Sequence, residues 1–383
     1  MSQSVVIIGA GVAGCNLAYE LTRRGATVTV IDTAEAGSGT SATTFAWVNS
    51  NNKTPAEYGL LNKLGLQAHE RRARETSGAE RWFHQTGSLE IAQSDQEMAS
   101  LEAKVFDLTA HDYHSRLVTA ETVRELEPTL DATRVVGGAL FEQEGWIDVQ
   151  TMCLTLLERA VNAGAVFAPY ETVIGIASSE VTTAAADGST RRHHADVAIL
   201  AAGNGNRRIL AAGGIDFPTI DPNGQNLSGE QKRASVGIIS TTGPINSGVR
   251  HIIHATGIAL RPARNGGITF SDAPTGGQWQ IDDPQIWTVP ALLLARAREL
   301  YPCLRSVATE TVSLGTRVLP EDGLTIADWI TEDHSVYAVA THSGVTLSAH
   351  LGAVIANEVL TGTRDESLRS FGLSRFATEL RAH

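Results

Sequence analysis

The sequence predicts an α/β fold (α+β overall). A parallel β-α unit is assembled from discontinuous segments, and a second unit, built on a mainly antiparallel β-sheet with helices, is inserted between them. Three observations predict this. The run "VVIIG", a helical pattern and "TVTVID" make a β-α-β unit at the N-terminus. Similar β-α patterns return around 145–215 and toward the C-terminus, with strand-rich and helical stretches between them. No internal repeat and no low-complexity linker divides the 383 residues into separate beads. The expected boundaries are 1–80, 145–215 and 310–383 for the first unit, and 81–144 and 216–309 for the second.

The elements follow in order. "VVIIG" is apolar throughout, as suits a strand buried on both faces. Val12, Leu17, Ala18 and Leu21 recur at helical spacing, with Arg23 and Arg24 in the last turn and Gly25 as the stop. "TPAEYGLLNKLGLQAHERRARET" reads as a helix with Pro55 near its first turn, and "QEMASLEAKVFDLT" and "TAETVRELEP" as shorter ones. "TRVVGGALFEQEGWID" reads as strand and turn, and "VQTMCLTLLERAVNAGA" as an amphipathic helix closed by Gly164. Strands follow, with a turn at Asp187–Gly188. The pattern from Phe217 to about Arg250 is weak and loop-rich. "HIIHATGIALRPARNGGITFSD" predicts a hairpin turning at Asn265-Gly266-Gly267, "VPALLLARARELYPCL" a helix, "HSVYAVATHSG" a strand and turn, and "VTLSAHLGAVIANEVLTG" a last helix stopped by Gly362.

Composition narrows the function. Hydrophobic residues are 42% and charged residues 19%, ordinary for a globular chain. A net charge of -12 argues against nucleic acid or an anionic membrane as partner, since both need a basic surface. An anionic small substrate is still allowed, because a few buried arginines override the global field locally. Cys15, Cys153 and Cys303 give neither a metal spacing nor a disulfide framework. The N-terminus lacks a basic n-region, and no stretch is apolar enough to span a bilayer. The expectation is a cytoplasmic protein without integral membrane association. Its oligomeric state is not legible.

Gly9-Ala10-Gly11-Val12-Ala13-Gly14 is G-x-G-x-x-G between a strand and a helix, with Asp32 closing the second strand. That context makes it a Rossmann-like dinucleotide site. Gly9 allows the tight turn, Gly11 the close approach of a pyrophosphate, and Gly14 the packing of helix on strand. The helix N-terminus at Val12 and Ala13 offers N–H groups to phosphate. Asp32 accepts from ribose hydroxyls and repels a 2′-phosphate, which disfavours NADP. The motif alone does not separate FAD from NAD. The small polar stretch after Thr33, with Gly39, Thr40 and Ser41, suits a chain running close along an extended cofactor, where a nicotinamide enzyme usually starts a helix.

These segments, with "GSGTSATT", "GWIDVQTMCLTLLERAVNAGAVF", "VAILAAGNGNRRIL" and "LGTRVLPEDGLTIADW" through "VYAVATHSGVTLSAHLGAVIANEVLTG", resemble the FAD-dependent oxidoreductases of the D-amino-acid-oxidase superfamily. That superfamily includes glycine oxidase, sarcosine oxidase and D-amino-acid dehydrogenases. About 85–140 and 218–252 match little of it. The resemblance implies non-covalent FAD and an oxidoreductase acting on an amino acid or secondary amine. Hydride passes from carbon to flavin N5 and water hydrolyses the imine. It places Val173 beside the adenine, Ala201, Ala202 and Gly203 along the cofactor, and Gly344, Val345 and Thr346 at the flavin pyrimidine, where a helix N-terminus stabilises negative charge. Arg317 stands where the family holds an Arg that clamps the substrate carboxylate; a planar guanidinium suits that task. Arg261 is a second candidate, although Ile258, Ala259 and Leu260 stand where relatives often have an aromatic. His342 adjoins the flavin turn as a candidate contact to flavin or substrate. By resemblance the electron acceptor is oxygen or another carrier. A 2-hydroxy-acid oxidoreductase with the same cofactor is the alternative. A non-catalytic or tRNA-modifying FAD-fold protein is a further one, against which the charge balance speaks.

"TFAWVNSNNK" at Thr44–Lys53 is not the family's usual text. Buried amides and a lysine are costly unless paired, so Trp47, Asn49 and Lys53 are read as an active-site wall shaping substrate choice. An exposed loop leading into the next helix is the alternative. His251 and His254 lie three apart on a strand, hence on opposite faces. His193 and His194 follow a turn and are expected in solvent. No metal site or nucleophile elbow is signalled.

Overall fold

The computed structural model describes residues 2–76, 78–177, 180–222, 224, 235–271 and 283–376. Six strands form one sheet in the order Ile326–Trp329, Val336–Ala340, Val197–Leu200, Ser4–Ile8, Thr27–Ile31, Val166–Ala168. Neighbours run parallel except the first two. The N-terminal strand shows why its sequence is apolar throughout. Val5 and Ile7 enter the core under the helices, while Val6 and Ile8 enter a second core on the opposite face. Period two therefore has no polar side.

The helix Val12–Arg23 lies on one face with Val149–Asn162 and Gly344–Thr361. Its approach to the last helix is close: a Cβ on Gly352 would meet the Asn16 Cβ at 2.8 Å. Leu17, Leu21, Leu351 and Ile355 are fully buried there. Each contributes ~1.5–3 kcal/mol of burial. On the other face lie Glu171–Ala177, Glu180–Ala185 and Thr190–His194. The last two join through Asp187 and Gly188, which has φ +81°. His193 is not in solvent: it lies in the last of these strands and meets the buried Glu171 at 2.9 Å.

The second sheet has eight strands, ordered Thr309–Thr316, Val236–Thr242, Ile268–Ser271, Ile258–Pro262, Ile252–Ala255, Ser88–Ala92, Gly137–Phe141, Arg116–Thr119. It is antiparallel apart from the pair Ile252–Ala255 with Ser88–Ala92. The helix Val289–Leu300 packs on its core. Val236–Thr242 emerges from the stretch whose sequence pattern is weak. Gly237 and its hydroxyl residues hide the alternation, and pairing to both neighbours supplies what propensity does not. Thr309–Thr316 pairs there too, and the chain returns to the six-stranded sheet only at Ile326. A small third sheet, Trp47–Val48, Gly145–Ile147 and Phe83–His84, anchors the segment after the glycine-rich loop.

Candidate active site

Where the ends of Ser4–Ile8, Thr27–Ile31 and Val197–Leu200 meet the eight-stranded sheet, a continuous cleft of about 1450 Å³ opens. Pockets for one small ligand hold roughly 300–1,000 Å³, so this one has room for an extended cofactor and a substrate together. It lies outside the carboxyl ends of the parallel strands, the usual ligand position in such sheets.

The glycine-rich turn forms one end. Gly9 has φ +108°, and a Cβ there would fall 2.5 Å from the Ala201 carbonyl oxygen. Gly14 does not face the cleft; a Cβ on it would lie 1.8 Å from the Gly9 oxygen, so its role is helix-on-strand packing. Asp32 Oδ2 accepts from the Ala10 N–H at 2.6 Å and Oδ1 from Ala34 at 3.0 Å, which holds the turn. Thr33, Gly39, Thr40 and Ser41 line the next section. Ser41 Oγ accepts from the Val12 N–H at 3.1 Å, and the Thr40 hydroxyl donates to Thr316 O at 2.9 Å. Val12, Ala13, Val173, Ala202 and Gly203 also line the cleft. Gly203 has φ +58° and Ala202 N donates to Asn206 Oδ1 at 2.9 Å.

Farther along, the helix Gly344–Thr361 aims its N-terminus into the same space. Ser343 occupies the cap position by sequence, yet no side chain caps this helix. The Ser343 hydroxyl instead accepts from Tyr58 Oη at 2.9 Å. First-turn N–H groups of a helix lack intrahelical partners. Those of Gly344, Val345 and Thr346 are therefore available to an acceptor in the cleft. A glycine cradle that a Cβ would fill, an acid holding the turn and an uncapped helix end fit an FAD lying along this cleft.

The stretch Phe45–Lys53 is a wall of the cleft, not an outer loop: Phe45, Trp47, Asn49, Asn51, Asn52 and Lys53 all line it. Its fixation comes from behind. Trp47 Nε1 donates to Glu144 Oε2 at 2.7 Å, and Tyr113 Oη donates to Glu144 Oε1 at 2.7 Å. Ser50 N donates to Tyr113 Oη at 3.0 Å, and Ser50 Oγ to Gly59 O at 2.6 Å. Asn49 N donates to Thr346 Oγ1 at 3.3 Å, joining the wall to the C-terminal helix. Glu144 is fully buried. Burial pushes its carboxyl up to about 7, against the hydrogen bonds from Tyr113 and Trp47. Asn51, 4% exposed, has no hydrogen-bond partner for either side-chain atom among the described residues. Lys53 is half-buried; burial lowers its ammonium below the usual value, and the Glu144 carboxylate pulls the other way.

Arg317 follows the edge strand and lines the cleft. Its Nη1 donates to Val236 O at 2.7 Å. The guanidinium crosses Gly237, where a Cβ would lie 2.9 Å from Nη2, so that glycine makes its room. His342 is exposed toward the cleft; desolvation by the surrounding walls, then the charges of Lys53 and Arg317, pushes its imidazole below the ordinary value. His254 is the histidine of the expected pair that faces the cleft. Its ring lies tilted against that of Trp47, centroids 4.2 Å apart, and burial, with Lys104 nearby, lowers it to about 3. His251 turns to the buried Glu127 at 2.7 Å.

Arg261 is not in the cleft. It is buried, donates to Phe45 O at 2.7 Å and to Pro262 O at 2.8 Å, and lies 4.5 Å over the Trp146 ring. Burial lowers it to about 9, with Asp148 opposing. It braces the wall from beneath. The sequence reading missed Asn51 and Glu144. Asn51 was legible only as one amide among several, and nothing near Glu144 marks it as the anchor of a segment 97 residues away. Among the described residues no cluster could hold a metal ion and no helix is long and apolar enough to cross a membrane.

Among known proteins, one component of the opine oxidase of Agrobacterium tumefaciens (strain Ach5) is 26% identical over 97% of both chains. Glycine oxidase of Geobacillus kaustophilus (strain HTA426) is 22% identical over 97% of this chain and 96% of its own. The crystal structure of glycine oxidase from Geobacillus kaustophilus superposes with a TM-score of 0.80 at 20% identity, covering 98% of this chain and 99% of that one. A family model described as FAD dependent oxidoreductase (DAO) matches residues 4–358. With the cradle for an extended cofactor already in its own backbone, the chain belongs to the FAD dependent oxidoreductase family, and FAD is its cofactor.

Proposed function

We propose that this enzyme oxidises the C–N bond of an amino acid or secondary amine whose carboxylate pairs with Arg317. The observation that carries the reading is Arg317 itself, held over Gly237 on the wall of the cleft that contains the glycine cradle. A guanidinium there binds a carboxylate through paired N–H donors and stays charged when half-buried. The names of the relatives, a component of an opine oxidase and a glycine oxidase, support the same class.

FAD, bound non-covalently along Gly9, Asp32, Val173 and the Gly344–Thr346 turn, supplies the two-electron acceptor. The chain does the rest. Arg317 fixes one end of the substrate and so the direction in which its α-carbon points. Phe45, Trp47 and Ile239 cover part of the cleft with apolar surface that excludes water. A drier cleft favours the neutral amine, whose lone pair must be free as the C–H bond breaks. His342 and His254, both held neutral, add no charge against that amine.

The test is anaerobic bleaching of the flavin absorbance by primary amino acids of both hands, N-substituted amino acids, imino acids and 2-hydroxy acids. Bleaching by an amine, with Arg317→Ala weakening that substrate by about 30- to 4,000-fold, is expected, since truncating a buried charge partner costs ~2–5 kcal/mol. Bleaching by hydroxy acids alone would overturn the reading. Unchanged carboxylate binding in Arg317→Ala would overturn the clamp. Reoxidation on admitting air separates oxygen from another electron acceptor.

A further inference from the structure

Asn51 is the least explained group in the molecule. The residue is 4% exposed and lines the cleft, and neither Nδ2 nor Oδ1 is hydrogen-bonded within the described residues. An amide buried without partners costs ~1–3 kcal/mol. Its backbone is held in place, because Asn51 N donates to Asn49 Oδ1 at 3.2 Å and Ser50 beside it is tied to Tyr113 and Gly59. The amide cannot turn away to find water without moving an anchored segment.

Two residues on, after Asn52 in the left-handed region at φ +55°, stands Lys53. It lines the same cleft and makes no ion pair or hydrogen bond among the described residues. Glu144 attracts it, but that carboxylate is already taken by Trp47 and Tyr113. A half-buried ammonium and an unsatisfied amide two residues apart on one wall of the cleft offer a donor set for a carboxylate: one charge and one N–H. The locus is separate from Arg317, which rises from the edge of the eight-stranded sheet, while Asn51 and Lys53 belong to the wall fixed to the C-terminal helix. His342 lies in the fields of both cations.

We propose that Asn51 and Lys53 form a second carboxylate-binding subsite, so that the preferred substrate is an amino dicarboxylate whose other carboxylate is taken by Arg317. This rests on the function proposed above and narrows its substrate class. The test therefore uses binding instead of turnover. Holoenzyme is titrated at fixed ionic strength with non-oxidisable monocarboxylates (propionate, butyrate, pentanoate) and the dicarboxylates of equal length (malonate, succinate, glutarate), followed by the flavin absorbance shift.

At least one dicarboxylate is expected to bind about tenfold or more tighter than its monocarboxylate, the equivalent of one charge-assisted contact. Lys53→Met should bring that ratio to about one while changing monocarboxylate affinity less than about threefold, and Asn51→Leu should reduce the ratio. Equal affinities in the wild type, or no response to any carboxylate, overturn the proposal. So does a Lys53→Met protein that loses both ligand classes alike, or one that folds by circular dichroism but no longer retains FAD; the latter would assign the residue to the cofactor. Should Lys53→Met not fold, Lys53→Gln gives the same comparison. Amine bleaching without a dicarboxylate preference fails this proposal alone; a dicarboxylate preference without amine bleaching fails the proposed reaction alone.

Discussion

Trp47→Phe separates the two things Trp47 does. The ring lies against His254 at 4.2 Å, and a phenyl ring keeps much of that contact. Nε1 donates to Glu144, and phenylalanine removes that bond entirely. Glu144 titrates near 7 in the folded protein against an ordinary 4.5, so its folded value is raised. A raised carboxyl stabilises the fold below its unfolded value and loses that contribution as pH rises through about 7. The gap between the two values corresponds to ~3 kcal/mol. A hydrogen bond to a charged acceptor is worth ~1.5–3 kcal/mol against ~0.5–1.5 for a neutral one. Losing the indole donor therefore costs about 1 kcal/mol more when Glu144 is ionised, and raises its pKa further. The smaller ring adds a packing loss that does not depend on pH. Melting of the FAD-saturated protein, followed by release of flavin fluorescence, tests this at pH 5.5 and 8.5. The deficit of Trp47→Phe should be larger at pH 8.5 by roughly 2 °C, using about 2–4 °C per kcal/mol for large domains. An equal deficit at both values, or a larger one in acid, would refute the idea that an ionisable Glu144 anchors this wall.

Two further expectations concern the cofactor unit. Gly9→Ala combines φ +108° with a Cβ 2.5 Å from Ala201 O, a strain of ~1–2 kcal/mol before the clash is counted; FAD affinity should fall at least about tenfold by equilibrium dialysis, and wild-type affinity would exclude close approach at that turn. Glu20→Leu leaves Arg72, paired with it at 2.5 Å and 7% exposed, as a buried cation with the Asn16 amide oxygen and the Tyr19 ring but no bonded carboxylate. Breaking a buried pair costs ~3–5 kcal/mol, so the melting temperature should drop by several degrees, and a change under about 2 °C would show that the Glu20 carboxylate contributes little to stability.

The parts of the fold read from the sequence are those where one short segment carries its own reason. "VVIIG", Gly9, Gly14 and Asp32 act within a single β-α-β unit, where Gly9 makes the turn, Gly14 lets helix meet strand and Asp32 holds the turn through the Ala10 N–H. Arg317 and His342 come to the same cleft although 25 residues part them, because a family's spacing stood in for the missing three-dimensional information. Arg261 shows the limit. It has the chemistry of a clamp and sits on a strand of the eight-stranded sheet, but the strand turns it inward onto Trp146 and Phe45. Alternation says that a side chain points to one of two faces; it does not say which face is the cleft. The strand Val236–Thr242 and the anchor Glu144 were illegible for a different reason. Both are defined by partners more than 60 residues away, Thr309–Thr316 and Trp47.

The wall itself divides its labour residue by residue. Trp47, Asn49 and Ser50 commit their polar groups to the scaffold, through Glu144, Thr346, Tyr113 and Gly59. The side chains of Asn51 and Lys53 make no hydrogen bond or ion pair among the described residues. An unsatisfied buried amide lowers stability without compensation in the folded state, and a leucine of similar size would relieve it. Such a group is retained where a ligand completes it. The scaffold residues explain how the segment tolerates it: Trp47, Asn49 and Ser50 pin the stretch that carries Asn51 and Lys53 at the wall of the cleft. Preorganisation of this kind lowers the ordering entropy lost on binding. The same arrangement separates specificity from cofactor binding. Changes at Asn51 and Lys53 leave every hydrogen bond of the Gly9–Gly14 turn and of Asp32 in place, so the proposed subsite can be altered without touching that turn.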